Sequence, residues 1–132
     1  MPGLGTDIVE IERLRHWKDD DCMLSLVFSS AEREAALGRG CCRRLLAAGF
    51  AVKEAFMKAA GTGWGDGLQW TDIEALFDGR MVRLRLHNRA RVLCGGGRVF
   101  ASCAYEGELA VAVVVIDGPA GRAGTEPSGS MV

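Results

Sequence analysis

The most regular pattern along the chain lies toward its C-terminal end, where Arg98 to Tyr105 and Leu109 to Asp117 flank the turn residues Glu106-Gly107-Glu108. Two apolar runs around a glycine turn predict paired strands, and the Val-rich second run is the plainest strand in the chain. Upstream, Asp72 to Phe77 and Met81 to Leu86 flank Asp78-Gly79-Arg80 and predict a second hairpin. His87 to Leu93 reads as a short helix. Near the N-terminus, Leu4 to Ile11 alternates poorly but is rich in Ile, Val and Thr. It predicts a short strand leading into a helix from about Glu10 to Lys18, with Asp7 near the junction. Asp19-Asp20-Asp21 puts acidic residues where a helix C-terminus favours cations, so it reads as a loop.

Helical spacing dominates the middle of the chain. Ser29-Ser30-Ala31-Glu32 has the S-x-x-E form of a capping box and predicts a short helix to about Leu37, closed by Gly38 and Gly40. From Cys41 to Ala60 the residues are mostly good helix formers; Leu46, Phe50 and Met57 recur on one face, and Gly61 supplies the stop. Strand hairpins around one long helix describe an α+β fold, a single small domain with an antiparallel sheet packed against a long central helix. At 132 residues one such domain is expected, over residues 1–117, while the Gly, Pro, Ser and Thr of residues 118–132 predict a flexible C-terminal tail. A domain of this size buries a modest share of its surface, so a site shared between subunits is physically reasonable.

Composition removes several function classes. A formal net charge of −1 does not suit a protein that neutralises nucleic-acid phosphates, so no nucleic-acid partner is expected. Any anion site must be local, and the candidates are Arg13, Arg15 and Lys18, or Arg43, Arg44, Lys53 and Lys58. Solvated helix faces are the ordinary reading of such clusters. No apolar segment approaches bilayer length and no basic stretch leads into an apolar one, so no membrane partner and a cytoplasmic location are expected. The cysteines Cys22, Cys41, Cys42, Cys94 and Cys103 are odd in number and form no C-x-x-C, which favours reduced thiols over a disulfide framework.

Three places could carry chemistry. Glu54 and Lys58 lie four residues apart on the long helix, so they share a face; an ordinary helix ion pair is one reading. Asp7 is an ionised carboxylate among apolar neighbours and needs a partner, either a bound divalent metal or the free N–H groups of a helix that it caps. Gly61-Thr62-Gly63 follows the helix and could bring backbone amides to a phosphate, or simply end the helix. Trp64 and Trp70 bracket that loop and could cover a planar ligand or pack in the core.

Taken together, Gly3-Leu-Gly-Thr-Asp7-Ile-Val-Glu-Ile-Glu-Arg13 and Arg44-Leu-Leu-Ala-Ala-Gly-Phe50-Ala-Val-Lys-Glu54-Ala-Phe-Met-Lys58-Ala-Ala-Gly61-Thr-Gly63 resemble the paired motifs of the 4′-phosphopantetheinyl transferases. Trp70-Thr-Asp72-Ile-Glu74 and the chain length are similar to the single-domain acyl-carrier-protein synthase branch of that family. The resemblance implies the 4′-phosphopantetheinyl transferase fold and transfer of phosphopantetheine from coenzyme A to a carrier-protein serine, with release of adenosine 3′,5′-bisphosphate. It implies Mg²⁺ on Asp7 and Glu54, with Asp7, Glu54 and Lys58 as catalytic groups. It further implies coenzyme contacts from Arg44, Lys58, Gly61, Thr62, Gly63 and Ser102, and carrier-protein contacts from Arg13 and Arg15. A homotrimer with sites between subunits is implied as well. Two positions depart from the family pattern, Gly49 where many members carry Arg and Phe100 where many carry His. Those departures support the alternative of a catalytically degenerate member of the fold that acts as a carrier-protein-binding or structural partner.

Overall fold

The structure is a computed structural model and describes residues 2–17, 20–38, 42–62, 67–78 and 81–118. Its spine is the helix α3, Cys42–Ala60, which begins and ends within a residue of the span expected from the sequence. Three strands cover one side of it: β1 (Gly3–Glu10), β4 (Arg98–Glu106) and β5 (Leu109–Asp117), in the order β1-β5-β4 and antiparallel throughout. The hairpin of β2 (Ile73–Asp78) and β3 (Met81–Leu86) forms a separate two-stranded sheet. The short helices α1 (Asp21–Val27), α2 (Ser30–Gly38) and α4 (Asn88–Cys94) complete the domain. The expected α+β architecture is therefore present, as two small sheets on one helix; residues 119–132, expected to form a tail, lie outside the described residues.

Small residues let the sheet approach the helix. On β5, Ala110, Ala112 and Val114 are wholly buried and Ile116 nearly so, as period-2 alternation demands of one sheet face. On β1 the inward positions are Gly3 and Gly5, and the backbone of α3 occupies the space where their side chains would be. A Cβ on Gly3 would lie 2.0 Å from the Ala59 carbonyl oxygen. One on Gly5 would lie 2.0 Å from the Ala55 oxygen and 2.6 Å from the Ala59 nitrogen. These glycines are required by contact rather than by torsion angle.

Two expectations at the N-terminal end are corrected. Among the described residues of that span, 10–17, no α-helix forms: β1 runs to Glu10, Ile11 N–H still donates to Glu108 O at 2.9 Å, and a 3₁₀ turn, Ile11–Leu14, follows. That one turn already buries both Ile11 and Leu14, so the apolar spacing read as helical is used up within it. The acidic run belongs to a helix start, not a loop. Asp20 is the N-cap of α1 and its carboxylate accepts from Met23 N–H at 3.1 Å, the end of a helix that favours negative charge. Lys18 and Asp19 themselves lie outside the described residues.

The capping box is present as expected: Ser29 N–H donates to Glu32 Oε1 at 2.9 Å and Glu32 N–H to Ser29 Oγ at 3.2 Å. Asp72, expected as the first strand residue, instead closes a 3₁₀ turn, Trp70–Asp72. Its carboxylate accepts from Gln69 N–H at 3.0 Å and Asn88 Nδ2 at 3.1 Å. Burial pushes the thiols of Cys94 and Cys103 above their ordinary pKa, the state of inert, reduced cysteines.

The close approach of β1 to α3 gives a direct test. Gly5→Ala forces backbone apart rather than a flexible side chain, and should cost about 3 kcal/mol or more in a denaturant melt. Gly38→Ala, with nothing within 4 Å of the added carbon, should cost little by comparison.

Candidate functional site

The glycine contacts decide where Asp7 goes. Gly3, Gly5 and Asp7 alternate onto the same face of β1, so once the glycines have drawn the strand onto α3, the next inward side chain meets the helix. Its carboxylate is 16% exposed, and Lys58 Nζ donates to Asp7 Oδ1 at 2.9 Å and to Thr6 O at 3.1 Å. Lys58 is half exposed, so this pair stands at the surface rim rather than in the core. Glu54 is half-buried one turn earlier on the same flank of α3.

Two of the bland readings can now be judged. Asp7 does not cap a helix: it lies within β1, paired in register with Ala112, and its carboxylate meets an ammonium. Lys58 pairs across the strand–helix boundary with Asp7, an interaction that no spacing along the helix revealed. The corner thus brings the Asp7 carboxylate and the Lys58 ammonium together, with Glu54 one turn earlier on the same flank of α3. It offers hard oxygen donors. Among the described residues no group of three or more His, Cys, Asp and Glu gathers to hold a metal, so a cation here would have two protein carboxylates at most.

The end of α3 is built as expected. Gly61 takes a left-handed φ of 76°, and its N–H donates to Met57 O at 3.1 Å and Lys58 O at 3.2 Å. Thr62 Oγ1, next in the chain, is buried without a hydrogen-bond partner among the described residues. Gly63 and Trp64 lie outside the described residues.

Other expected site residues stand apart from this corner within one protomer. Arg44 is 14 residues before Lys58 on the same helix, about 21 Å along its axis. Its guanidinium lies 4.7 Å from the Tyr105 ring centre. Ser102 is exposed on the sheet face opposite Asp7, in register with Val113 and Thr6. Arg13 and Arg15 are exposed at the 3₁₀ turn after β1, Arg13 5.7 Å from the Phe50 ring centre and Arg15 paired with Glu12. Trp70 stacks on Phe50, centroids 5.1 Å apart, so its role is packing at the domain surface.

The departures from the family pattern acquire a structural reading. Gly49 is buried, and a Cβ there would lie 3.4 Å from the Phe28 ring and 4.0 Å from Glu32 Oε2. The position faces α1, α2 and β2, not the Asp7–Lys58 corner. Phe100 is 52% exposed on the outer face of β4, with Arg98 5.5 Å from its ring centre.

One polar cluster escaped the sequence reading. Lys53, placed among candidate anion-binding cations, is fully buried and bonds to Glu32 Oε1 and Trp70 O, each at 3.0 Å, and to Ile73 O. Burial drives its pKa below the ordinary value, against the opposing pull of Glu32. Glu74 accepts from Ser29 Oγ at 2.5 Å and pairs with His87 Nε2 at 2.8 Å and Arg85 Nε at 3.4 Å. Burial alone would raise its pKa, but the Ser29 and His87 hydrogen bonds and the charges of Arg85 and His87 together outweigh it and lower the value.

A depressed carboxylate pKa stabilises the fold above the unfolded-state value and loses that contribution as pH falls through the folded one. Glu74→Gln should therefore lower the melting temperature at neutral pH. The gap from the parent should narrow as pH drops below the ordinary 4.5, as a pH series of thermal melts would record.

Residues 3–114 match the model of the 4′-phosphopantetheinyl transferase superfamily. The holo-[acyl-carrier-protein] synthase of Trichlorobacter lovleyi is 39% identical over 124 residues, covering 89% of this chain and 98% of its own. The fold is similar to a Chronobacterium ammoniagenes ACPS–CoA complex, with a TM-score of 0.74, 26% identity and coverage of 89% and 98%. It is also similar to the Bacillus anthracis holo-(acyl-carrier-protein) synthase in complex with CoA (3′,5′-ADP), with a TM-score of 0.72, 31% identity and coverage of 88% and 96%.

Proposed function

The chain belongs to the 4′-phosphopantetheinyl transferase superfamily, and we propose that it moves the 4′-phosphopantetheine group of coenzyme A onto a serine of an apo acyl or peptidyl carrier protein, releasing adenosine 3′,5′-bisphosphate. The observation that carries this reading is the Asp7–Lys58 pair beside Glu54, at the end of the helix that leads into Gly61-Thr62.

The donor set at that corner fits Mg²⁺, which takes one or two protein carboxylates and completes its shell with water and phosphate oxygens; Asp7 and Glu54 would hold it. When bound, the ion neutralises charge on the pyrophosphate of coenzyme A. The chain's own groups do the rest. Lys58, already at the rim and half exposed, turns its ammonium to the phosphates and stabilises the charge that gathers on them as the phosphoryl bond breaks. Glu54 accepts the proton of the attacking serine, directly or through water. The buried Thr62 hydroxyl, without a partner among the described residues, can donate to a phosphate oxygen at the helix end.

Arg44 stands about 21 Å along α3 from Lys58 and Ser102 lies on the opposite sheet face from Asp7, so neither meets the phosphates at the Asp7–Lys58 corner within one protomer. They fit a site completed by a neighbour. The outer face of the three-stranded sheet supplies a surface for that neighbour: Leu4, Ile8 and Phe100 are 66%, 61% and 52% exposed. Leu4 and Phe100 both lie in register with Val115, and Ile8 with Val111. A row of apolar side chains on one exposed sheet face supports burial between copies, here a homotrimer. Arg13 and Arg15, exposed on the turn after β1, steer the acidic carrier protein.

Two experiments test this. With coenzyme A, Mg²⁺ and a panel of apo carrier proteins, mass spectrometry should show the carrier gaining one phosphopantetheine group. Asp7→Ala and Glu54→Gln should each reduce the rate by about 10³-fold or more with the circular dichroism spectrum unchanged. Rates like the parent's in both variants would remove Asp7 and Glu54 from the chemistry. Separately, Ile8→Glu puts a charge into the apolar sheet face. Light scattering should then report monomers where the parent gives trimers.

A further inference from the structure

The buried pair Lys53–Glu32 sits on the side of α3 facing away from β1. A helix advances about 100° per residue, so Lys53 points about 160° away from Ala55, whose carbonyl meets Gly5. Glu54 and Lys58 then project from the flank between these two contacts, within about 40° of each other. On one side α3 is gripped by the backbone of β1 at Ala55 and Ala59. On the other, the Lys53 ammonium donates to Glu32 Oε1, Trp70 O and Ile73 O, while Glu32 Oε2 takes Ala75 N–H at 3.0 Å and its Oε1 takes Ser29 N–H at 2.9 Å. The second grip therefore ties α3 to α2 and to β2 through side chains that are 0% and 4% exposed.

We propose that Lys53 and Glu32 are positioning residues for transfer: their buried pair fixes the axial rotation of α3 and thereby aims Glu54 and Lys58 at the Asp7 corner. This rests on the reading that Glu54 and Lys58 are catalytic. Without the pair, α3 keeps its apolar packing on the three-stranded sheet but loses its polar ties to α2 and β2, and a small roll about the sheet contact is then less opposed. A roll of about 10° moves a group roughly 6 Å from the axis by about 1 Å. Misplacement on that scale costs up to about 10²-fold in rate. Neither residue touches substrate; both act through the helix they hold.

The test removes both charges together, because a single deletion would strand the other charge in the interior. In Glu32→Gln/Lys53→Met the new amide keeps an oxygen for Ala75 N–H, and the thioether fills the ammonium's channel without bonding Ile73 O or Trp70 O. Expected are a cooperative melt, a kcat for phosphopantetheine transfer lowered tenfold or more, and a KM for the carrier protein within twofold of the parent. Cys94→Ala, a core variant on α4 that lowers stability while leaving both the pair and the β1–α3 contact untouched, should keep the parent's kcat. Lys53→Arg serves if the double variant does not fold. It keeps the charge and the Glu32 partner but puts a planar fork where an ammonium sat, and should again lower kcat tenfold. A kcat within twofold of the parent in whichever variant folds overturns the proposal, as does an equal loss in Cys94→Ala. Glu54→Gln in the same assay separates the two readings. If it is inactive while the pair variants are not, only the positioning role fails; if it is active, the catalytic assignment itself fails.

Discussion

The contact on which the rest depends is the backbone-to-backbone approach of β1 and α3. Two glycines stand where any side chain would collide with helix carbonyls, and they bring a strand within direct contact of a helix. That closeness sets the depth at which the next inward residue, Asp7, meets the helix. It places a carboxylate from a strand beside an ammonium and a second carboxylate from a helix, groups distant in sequence. The energetics run the same way: a partly covered carboxylate needs a cation, and Lys58 supplies one in the protein alone. Two carboxylates on one flank offer the hard oxygen donors that a divalent cation takes.

The helix carries three loads on different faces. Its Ala-rich side takes the sheet, its Lys53 side takes α2 and β2 through a buried ion pair, and the flank between presents Glu54 and Lys58. A buried pair is a poor source of net stability, since its desolvation offsets most of its attraction. Its value here lies in fixing an orientation. Beyond the helix, Gly61 takes a left-handed turn and the Thr62 hydroxyl, without a partner among the described residues, is the group proposed to meet a phosphate.

Much of this was legible in the sequence wherever the signal was local. The capping box at Ser29 to Glu32, the span of α3 with its glycine stop, and both hairpins follow from short-range chemistry and appear within a residue or two of expectation. The region around Glu10 to Asp21 was misread because two isolated signals were joined: one 3₁₀ turn buried Ile11 and Leu14, and the acids after it belonged to the next helix. Asp7, Glu54 and Lys58 stand out by charge and spacing and take their roles from the motif resemblance, while the Asp7–Lys58 contact is a matter of strand face and helix face meeting. Lys53 was hidden for another reason. A lysine between Val52 and Glu54 reads as surface charge, and only the fold shows Glu32, Trp70 and Ile73 converging on it. The apolar outer sheet face was likewise visible only once the register aligned Leu4, Val115 and Phe100.

The central claim is that Asp7 and Glu54 together hold a divalent cation at the phosphates of coenzyme A. The most direct measurement is a crystal structure with Mn²⁺ and coenzyme A, read by anomalous scattering. The account predicts one peak bonded to oxygens of Asp7, Glu54 and the pyrophosphate, with Lys58 turned from Asp7 toward phosphate. A metal bound elsewhere, with the Asp7–Lys58 pair intact and coenzyme A present, would contradict it.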